Sequence, residues 1–315
     1  MLTDLASVAG GLVVLTLGAS ALVRGAASLA LRLGLTPLVV GLTVVAFGTS
    51  APELVVSVQA ALSGNGAIAI GNVVGSNVAN VGLILAIAAL IAPFSVHPTL
   101  LRRDAPLVVI VSALAVALLW NGTLGTVEGG VLVAGLVAYL VWSVRHARAS
   151  AAVAAATDGV PDQPSGSPWL DALRVVGGLV GLVLGADWLV NGAVSLATVA
   201  GVSPAVIGLT VVAVGTSLPE LATSVVAALR GHSEIAAGNV VGSNLFNLLG
   251  ILGVGALVRP LDGTGFHTLD YAVMGGFAVA MLAMMLAGRR LGRLDGALLL
   301  AGYAAYMGFL ATQHA

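Results

Sequence analysis

Residues 41–54 read GLTVVAFGTSAPEL and residues 208–221 read GLTVVAVGTSLPEL, so one stretch occurs twice at a spacing of 167 positions. Extended without a gap to 41–84 and 208–251, the comparison gives 29 identical positions of 44. It takes in GNVVGSN at 71–77 and again at 238–244, with Asn80 and Asn247 shortly beyond. The same shift pairs Asp4 with Asp171, Gly18 with Gly185, Gly25 with Gly192 and Pro37 with Pro204. The duplicated unit therefore includes the segment that precedes the motif.

The repeat sits in a chain that has too little charge for a water-soluble surface. Of 315 residues 59% are hydrophobic and 8% charged, with a mean hydropathy of +1.09, whereas a soluble domain carries roughly a quarter charged residues. Runs such as 5–23, 105–120 and 274–287 are apolar on every face, the pattern of a membrane span rather than of an amphipathic helix. Cysteine is absent, which excludes disulfides, thiolate metal sites and cysteine nucleophiles. The twelve positive residues are all arginines scattered in ones to threes, so there is no basic patch for nucleic acid. The N-terminus lacks a positive leader and runs straight into an apolar stretch, which reads as a retained helix and not a cleaved signal.

With about 20 apolar residues needed per span, helices are predicted near 5–31, 36–61, 67–92, 104–120, 124–145, 170–198, 204–229, 235–257, 268–287 and 292–312. The expected fold is all-α and integral to the membrane, with ten transmembrane helices arranged as two inverted five-helix repeats. The first repeat is 1–145 with its motif at 41–84, the second 170–315 with its motif at 208–251, and 146–169 is a linker rich in small residues, proline and aspartate. An odd number of spans per copy makes the second copy enter the membrane from the opposite side. Eleven arginines then fall on one face and only Arg259 on the other. The positive-inside rule places the linker in the cytoplasm and both termini outside it.

Of thirteen acidic residues, eleven are read as lying at helix ends, in loops or, for Asp187, in the first turns of a span. Glu53 and Glu220 are placed mid-span at equivalent positions, and an ionisable group at membrane depth costs several kcal/mol unless it serves a function. Thr49 and Ser50 precede Glu53 by four and three residues, which on a helix puts their hydroxyls on its side. Thr216 and Ser217 repeat the arrangement. Pro52 and Pro219 cannot donate backbone hydrogen bonds, so each helix is expected to break there and free carbonyl oxygens. Carboxylate, hydroxyl and carbonyl oxygens are the ligands hard cations such as Ca²⁺ prefer. No arginine or histidine is placed mid-span to neutralise the glutamates, and His97, His146, His232, His267 and His314 all fall at span ends or tails. One divalent or two or more monovalent cations would balance the pair, so one pocket could hold either set but not both. In the second element the GxxxG spacing suits close helix packing, and Asn72 and Asn77 also suit interhelical hydrogen bonds. A cation channel would want the same residues. A membrane enzyme would need partners for the carboxylates that are missing.

The paired GTSxPEL and GNVVGSN segments resemble the α-repeats of the sodium/calcium exchangers, within the calcium/cation antiporter superfamily, and the likeness covers both halves. It implies a secondary antiporter, not an enzyme, exchanging Na⁺ for Ca²⁺ by alternating access in a prokaryotic plasma membrane, with no cofactor and no obligatory protein partner. It implies that Glu53 and Glu220 ligate Ca²⁺ with Thr49 and Thr216, and that Na⁺ uses Ser50, Ser76, Ser217, Ser243 and the carbonyls of Ala46 and Ala213. Asn80 and Asn247 stand at the centre. Potassium-dependent exchangers have aspartate where this chain has Asn247, which implies exchange without K⁺. The acidic motifs of the proton/calcium branch are missing, although coupling to H⁺ stays open because a glutamate can carry protons. The resemblance also implies that the first and sixth helices slide past the rest.

Overall fold

The computed structural model describes residues 2–157, 167–200, 215–263 and 268–313. Eleven helices are seen among them. In chain order they are α1 (Leu2–Leu33), α2 (Pro37–Thr49), α3 (Ala51–Leu62), α4 (Gly66–Ile91), α5 (100–118), α6 (Thr126–Thr157), α7 (Pro168–Val199), α8 (Leu218–Leu229), α9 (Ser233–Val258), α10 (Thr268–Gly288) and α11 (Arg293–Gln313). Among the described residues six helices are long and apolar enough to cross a membrane, or seven if α2 and α3, bent by 46° at Ser50, count as one span. The predicted span at 204–229 is described only from residue 215, and 204–214 lies outside the described residues.

Two predicted boundaries move. Helix α6 runs to Thr157, well past the predicted end at 145, because the first part of the predicted linker is alanine-rich and alanine is the strongest helix former. Asp187 is not in the first turns of a span; it is the twentieth of the 32 residues of α7.

Helices α1 and α7 lie antiparallel, backbone against backbone. Gly11, Gly18 and Gly25 on one, and their equivalents Gly178, Gly185 and Gly192 on the other, recur every seven residues. A methyl group at Gly11 would stand 2.6 Å from the Leu189 amide nitrogen, and one at Gly178 2.6 Å from that of Leu22. Only glycine allows this approach. At one end of the pair the buried Asp171 carboxylate accepts from Ser28 Oγ and Arg32 Nε, each at 2.7 Å, and from Arg174 at 3.3 Å.

The remaining helices bury α4 and α9 most deeply, and these two carry the GNVVGSN segments. Short strands link the two halves. β1 (Phe94–Ser95) pairs antiparallel with β4 (Arg290–Leu291), and β2 (Thr123–Leu124) with β3 (Leu261–Asp262). The registers Phe94 to Leu291 and Leu261 to Leu124 are one pairing repeated at the 167-residue shift. The flanking bonds repeat too: Val96 donates to the Arg289 carbonyl (2.9 Å) and Gly263 to the Gly122 carbonyl (2.8 Å). Both acceptors have positive φ, 82° at Gly122 and 49° at Arg289. Tyr139 donates to Asp104 (3.2 Å) between α6 and α5, and its equivalent Tyr306 to Asp270 (2.8 Å) between α11 and α10.

Candidate ion site

The chain breaks at Ser50, where the backbone leaves the helical region at φ −84° and ψ 7°, and at Ser217, at −88° and 5°. Each break is followed by proline in the opening turn of a new helix, where its missing N–H costs nothing. Glu53 and Glu220 thus stand in the first turns of α3 and α8 and not within a continuous span. The unpaired amides and positive end of a helix dipole stabilise a carboxylate there, which offsets part of the cost of burying it.

The break changes which groups meet. The sequence spacing aims Thr49 and Ser50 at Glu53 of their own segment. Instead Ser50 Oγ donates to Glu220 Oε1 of the other half (2.8 Å) and stands 3.0 Å from Ser243 Oγ. Thr49 Oγ1 lies 3.1 Å from Asn239 Oδ1 and 3.3 Å from the Ala46 carbonyl. Asn80 donates to Asn244 across the halves at 3.0 Å. The two glutamates lie within electrostatic reach of each other. Glu53, Glu220, Thr49, Ser50, Ser76, Ser217, Ser243, Asn80 and Asn247 are all buried. Thr216 is half-exposed and lines a pocket. Ala213 lies outside the described residues.

Asn72 donates to the Glu53 carbonyl (3.1 Å) and Ser57 Oγ (2.9 Å), and Asn239 to the Glu220 carbonyl (3.4 Å) and Ser224 Oγ (3.0 Å). These amides tie each glutamate-bearing helix to the GNVVGSN helix behind it, the packing role foreseen for Asn72. Ser57 and Ser224 escaped notice, although both are identical under the 167-residue shift. Asn80 and Asn247 fall in π-helical turns, Asn80–Leu85 and Phe246–Ile251, where the wider coil leaves the regular register and commonly marks functional positions.

Among the described residues, Glu53 Oε2, Glu220 Oε2, Asn80 Oδ1 and Asn247 Oδ1 are buried acceptors with no hydrogen-bond donor. A buried acceptor left unpaired costs about 1–3 kcal/mol, more if charged. Four such oxygens from equivalent positions of two halves suit a hard cation, which is coordinated by lone-pair oxygens and needs no hydrogen-bond donor. Among the described residues there is no cluster of three or more His, Cys, Asp or Glu; the two carboxylates and the surrounding neutral oxygens make up the set.

Known proteins resemble this chain over nearly its whole length. The family model described as sodium/calcium exchanger protein matches residues 4–145 and 171–312. A putative antiporter, CaxA, of Alkalimonas amylolytica is 37% identical over 94% of this chain and 95% of its own. The inner membrane protein YrbG of Escherichia coli is 36% identical over 95% of this chain and 94% of its own. Among solved structures, the sodium-calcium exchanger NCX_Mj superposes with a TM-score of 0.86 at 30% identity, covering 98% of this chain and 99% of that one.

Proposed function

Since the chain belongs to the sodium/calcium exchanger family, we propose that it is a membrane antiporter that exchanges Na⁺ for Ca²⁺ at the site between Glu53 and Glu220. The observation that carries this reading is the set of unpaired buried oxygens on two glutamates and two asparagines contributed symmetrically by the two halves. One Ca²⁺ neutralises both carboxylates at once. Sodium ions would do the same in greater number, with Ser50, Ser76, Ser217, Ser243 and the Ala46 carbonyl to help; the family resemblance adds the carbonyl of Ala213. Occupation by one set excludes the other, which is the elementary condition for exchange. Asn247 supplies an amide oxygen without charge, so the exchange needs no K⁺.

The fold assigned with this function is ten spans in two inverted repeats, 1–145 and 170–315. The reciprocal strand pairs support it, as do the equivalent Tyr139 and Tyr306, each of which donates to an aspartate on the neighbouring helix. The arginine bias supports both termini lying outside the cytoplasm, and likeness to a bacterial inner membrane protein supports a prokaryotic plasma membrane. The glycine-lined pair α1 and α7 is bonded too closely for its members to move separately, and its displacement against the remaining helices provides alternating access.

The test is ⁴⁵Ca²⁺ uptake into proteoliposomes loaded with Na⁺, against equal loading with K⁺ or choline and against a proton gradient. Uptake that needs internal Na⁺ is expected. Uptake driven by the proton gradient would assign coupling to H⁺, and uptake indifferent to the internal ion would make the protein a channel.

A further inference from the structure

We propose that Asp187 is an outer cation-capturing site, a carboxylate at the mouth of the passage leading to the ion site, on one side of the membrane only. The inference rests on the exchanger reading and adds a residue to it.

Asp187 is exposed, and it lines a pocket of about 210 Å³ together with Pro52, Thr216 and Pro219. Those three neighbours come from the two GTSxPE segments. Thr216 is next to Ser217 and Pro219 next to Glu220 in the chain, so the pocket reaches the segment that carries the second half's site residues. A carboxylate at the twentieth position of a 32-residue apolar helix would cost several kcal/mol facing lipid. It is tolerable where the cavity it faces admits water. Among the described residues no salt bridge involves Asp187, which leaves its charge available to an arriving cation.

The equivalent place in the other half is built oppositely. Shifted by 167, Asp187 becomes Ser20 on α1. Arg230 donates to the Ser20 carbonyl (3.1 Å) and hydroxyl (2.8 Å). The residues equivalent to Ala186, Val190 and Thr216, namely Ala19, Val23 and Thr49, are 0%, 0% and 1% exposed, and Thr16, equivalent to Val183, is exposed. The wall that opens beside Asp187 is thus closed beside Ser20, where an arginine stands in place of the acid. A negative charge at the neck of a low-dielectric cleft concentrates cations and raises their rate of arrival by roughly 10- to 1,000-fold in favourable cases. A single carboxylate should lie at the low end.

In proteoliposomes at low ionic strength, Asp187→Asn should raise the half-saturating Ca²⁺ concentration on the Asp187 side about three- to tenfold with the maximal rate kept. The difference should shrink as choline chloride shortens the screening length from about 30 Å towards 8 Å. Because the chain has no cysteine, Asp187→Cys gives a second, charge-resolved arm. Methanethiosulfonate reagents that cannot cross the membrane should label it from that face alone. A sulfonate label should keep the affinity near wild type, and a trimethylammonium label should weaken it beyond Asp187→Asn. Unchanged half-saturation in Asp187→Asn, equal effects of the two labels, or no labelling from either face would overturn the proposal. Should the wild-type chain show no Na⁺-dependent Ca²⁺ uptake, the exchanger reading fails instead, and the labelling arm still decides whether Asp187 faces water.

Discussion

Ser20 on α1 and Asp187 on α7 occupy equivalent places in the two halves, and their surroundings differ in nearly every respect. Ser20 is bonded by an arginine and flanked by fully buried Ala19 and Val23; Asp187 opens onto a pocket that touches Thr216. At the amides behind the glutamates the halves agree: Asn72 and Asn239 make the same two bonds with equivalent partners. On the proposed reading, positions that bind the ion have stayed alike, whereas positions that govern how the ion arrives have diverged. A transporter needs both properties, one shared site and two doors that are never open together.

The comparison breaks most severely at the shared site. Glu53→Gln and Glu220→Gln should each abolish Ca²⁺ uptake, a fall of at least 100-fold, while the proteins stay monodisperse on size exclusion; near-normal uptake in both would remove the ion from between them. Next in size is the packing of α1 on α7. Gly185→Leu puts a branched side chain where even a methyl group would stand 2.5 Å from the Leu15 amide nitrogen. Transport should drop more than tenfold and the melting temperature should fall, whereas Gly177→Leu, at a glycine with open space around it, should leave both near wild type.

Smaller effects sharpen the contrast between the doors. Arg230→Gln removes both bonds to Ser20 and should populate the inward-open state; a cysteine placed at Val23 should then react from the cytoplasmic side several times faster than in the parent. Asn247→Asp adds a charge to the site without moving its oxygen, and should alter the dependence of Ca²⁺ uptake on Na⁺, H⁺ or K⁺. Identical profiles would mean that position 247 does not set cation choice. The mildest change is Arg289→Gly. Its backbone is left-handed at φ 49° where the equivalent Gly122 sits at 82°. Relief of about 1 kcal/mol should appear as a slightly higher melting temperature.

The ion site was legible because it is written twice. Glu53 and Glu220, the prolines and the GNVVGSN segments stand out as soon as the sequence is laid against itself. The pairing of Ser50 with Glu220 was not legible, since it follows from a 46° bend that turns neighbours along the chain into partners across the halves. The π-helical turns at Asn80 and Asn247 have no composition of their own. Asp187 was set aside because the sequence reads it in the first turns of a span, whereas it is the twentieth residue of α7; its counterpart is a serine, so the repeat does not mark it, and only the position of the pocket gives it a role. The helical stretch after residue 145 was hidden by small residues that suit a linker and a helix equally.

The reciprocal strand pairs bear on how the protein is made. Phe94 and Ser95 find their partners only at Arg290 and Leu291, and Thr123 and Leu124 only at Leu261 and Asp262. At about 5–20 residues per second, the ribosome needs on the order of 10–40 s to synthesise the chain between β1 and β4. The first half rests in the membrane with one glutamate of a pair until Glu220 is made, with β2 unmatched until Leu261 and β1 unmatched until Arg290. Its maturation waits on the last helices to emerge, which makes a truncated chain the form that quality control should remove most readily.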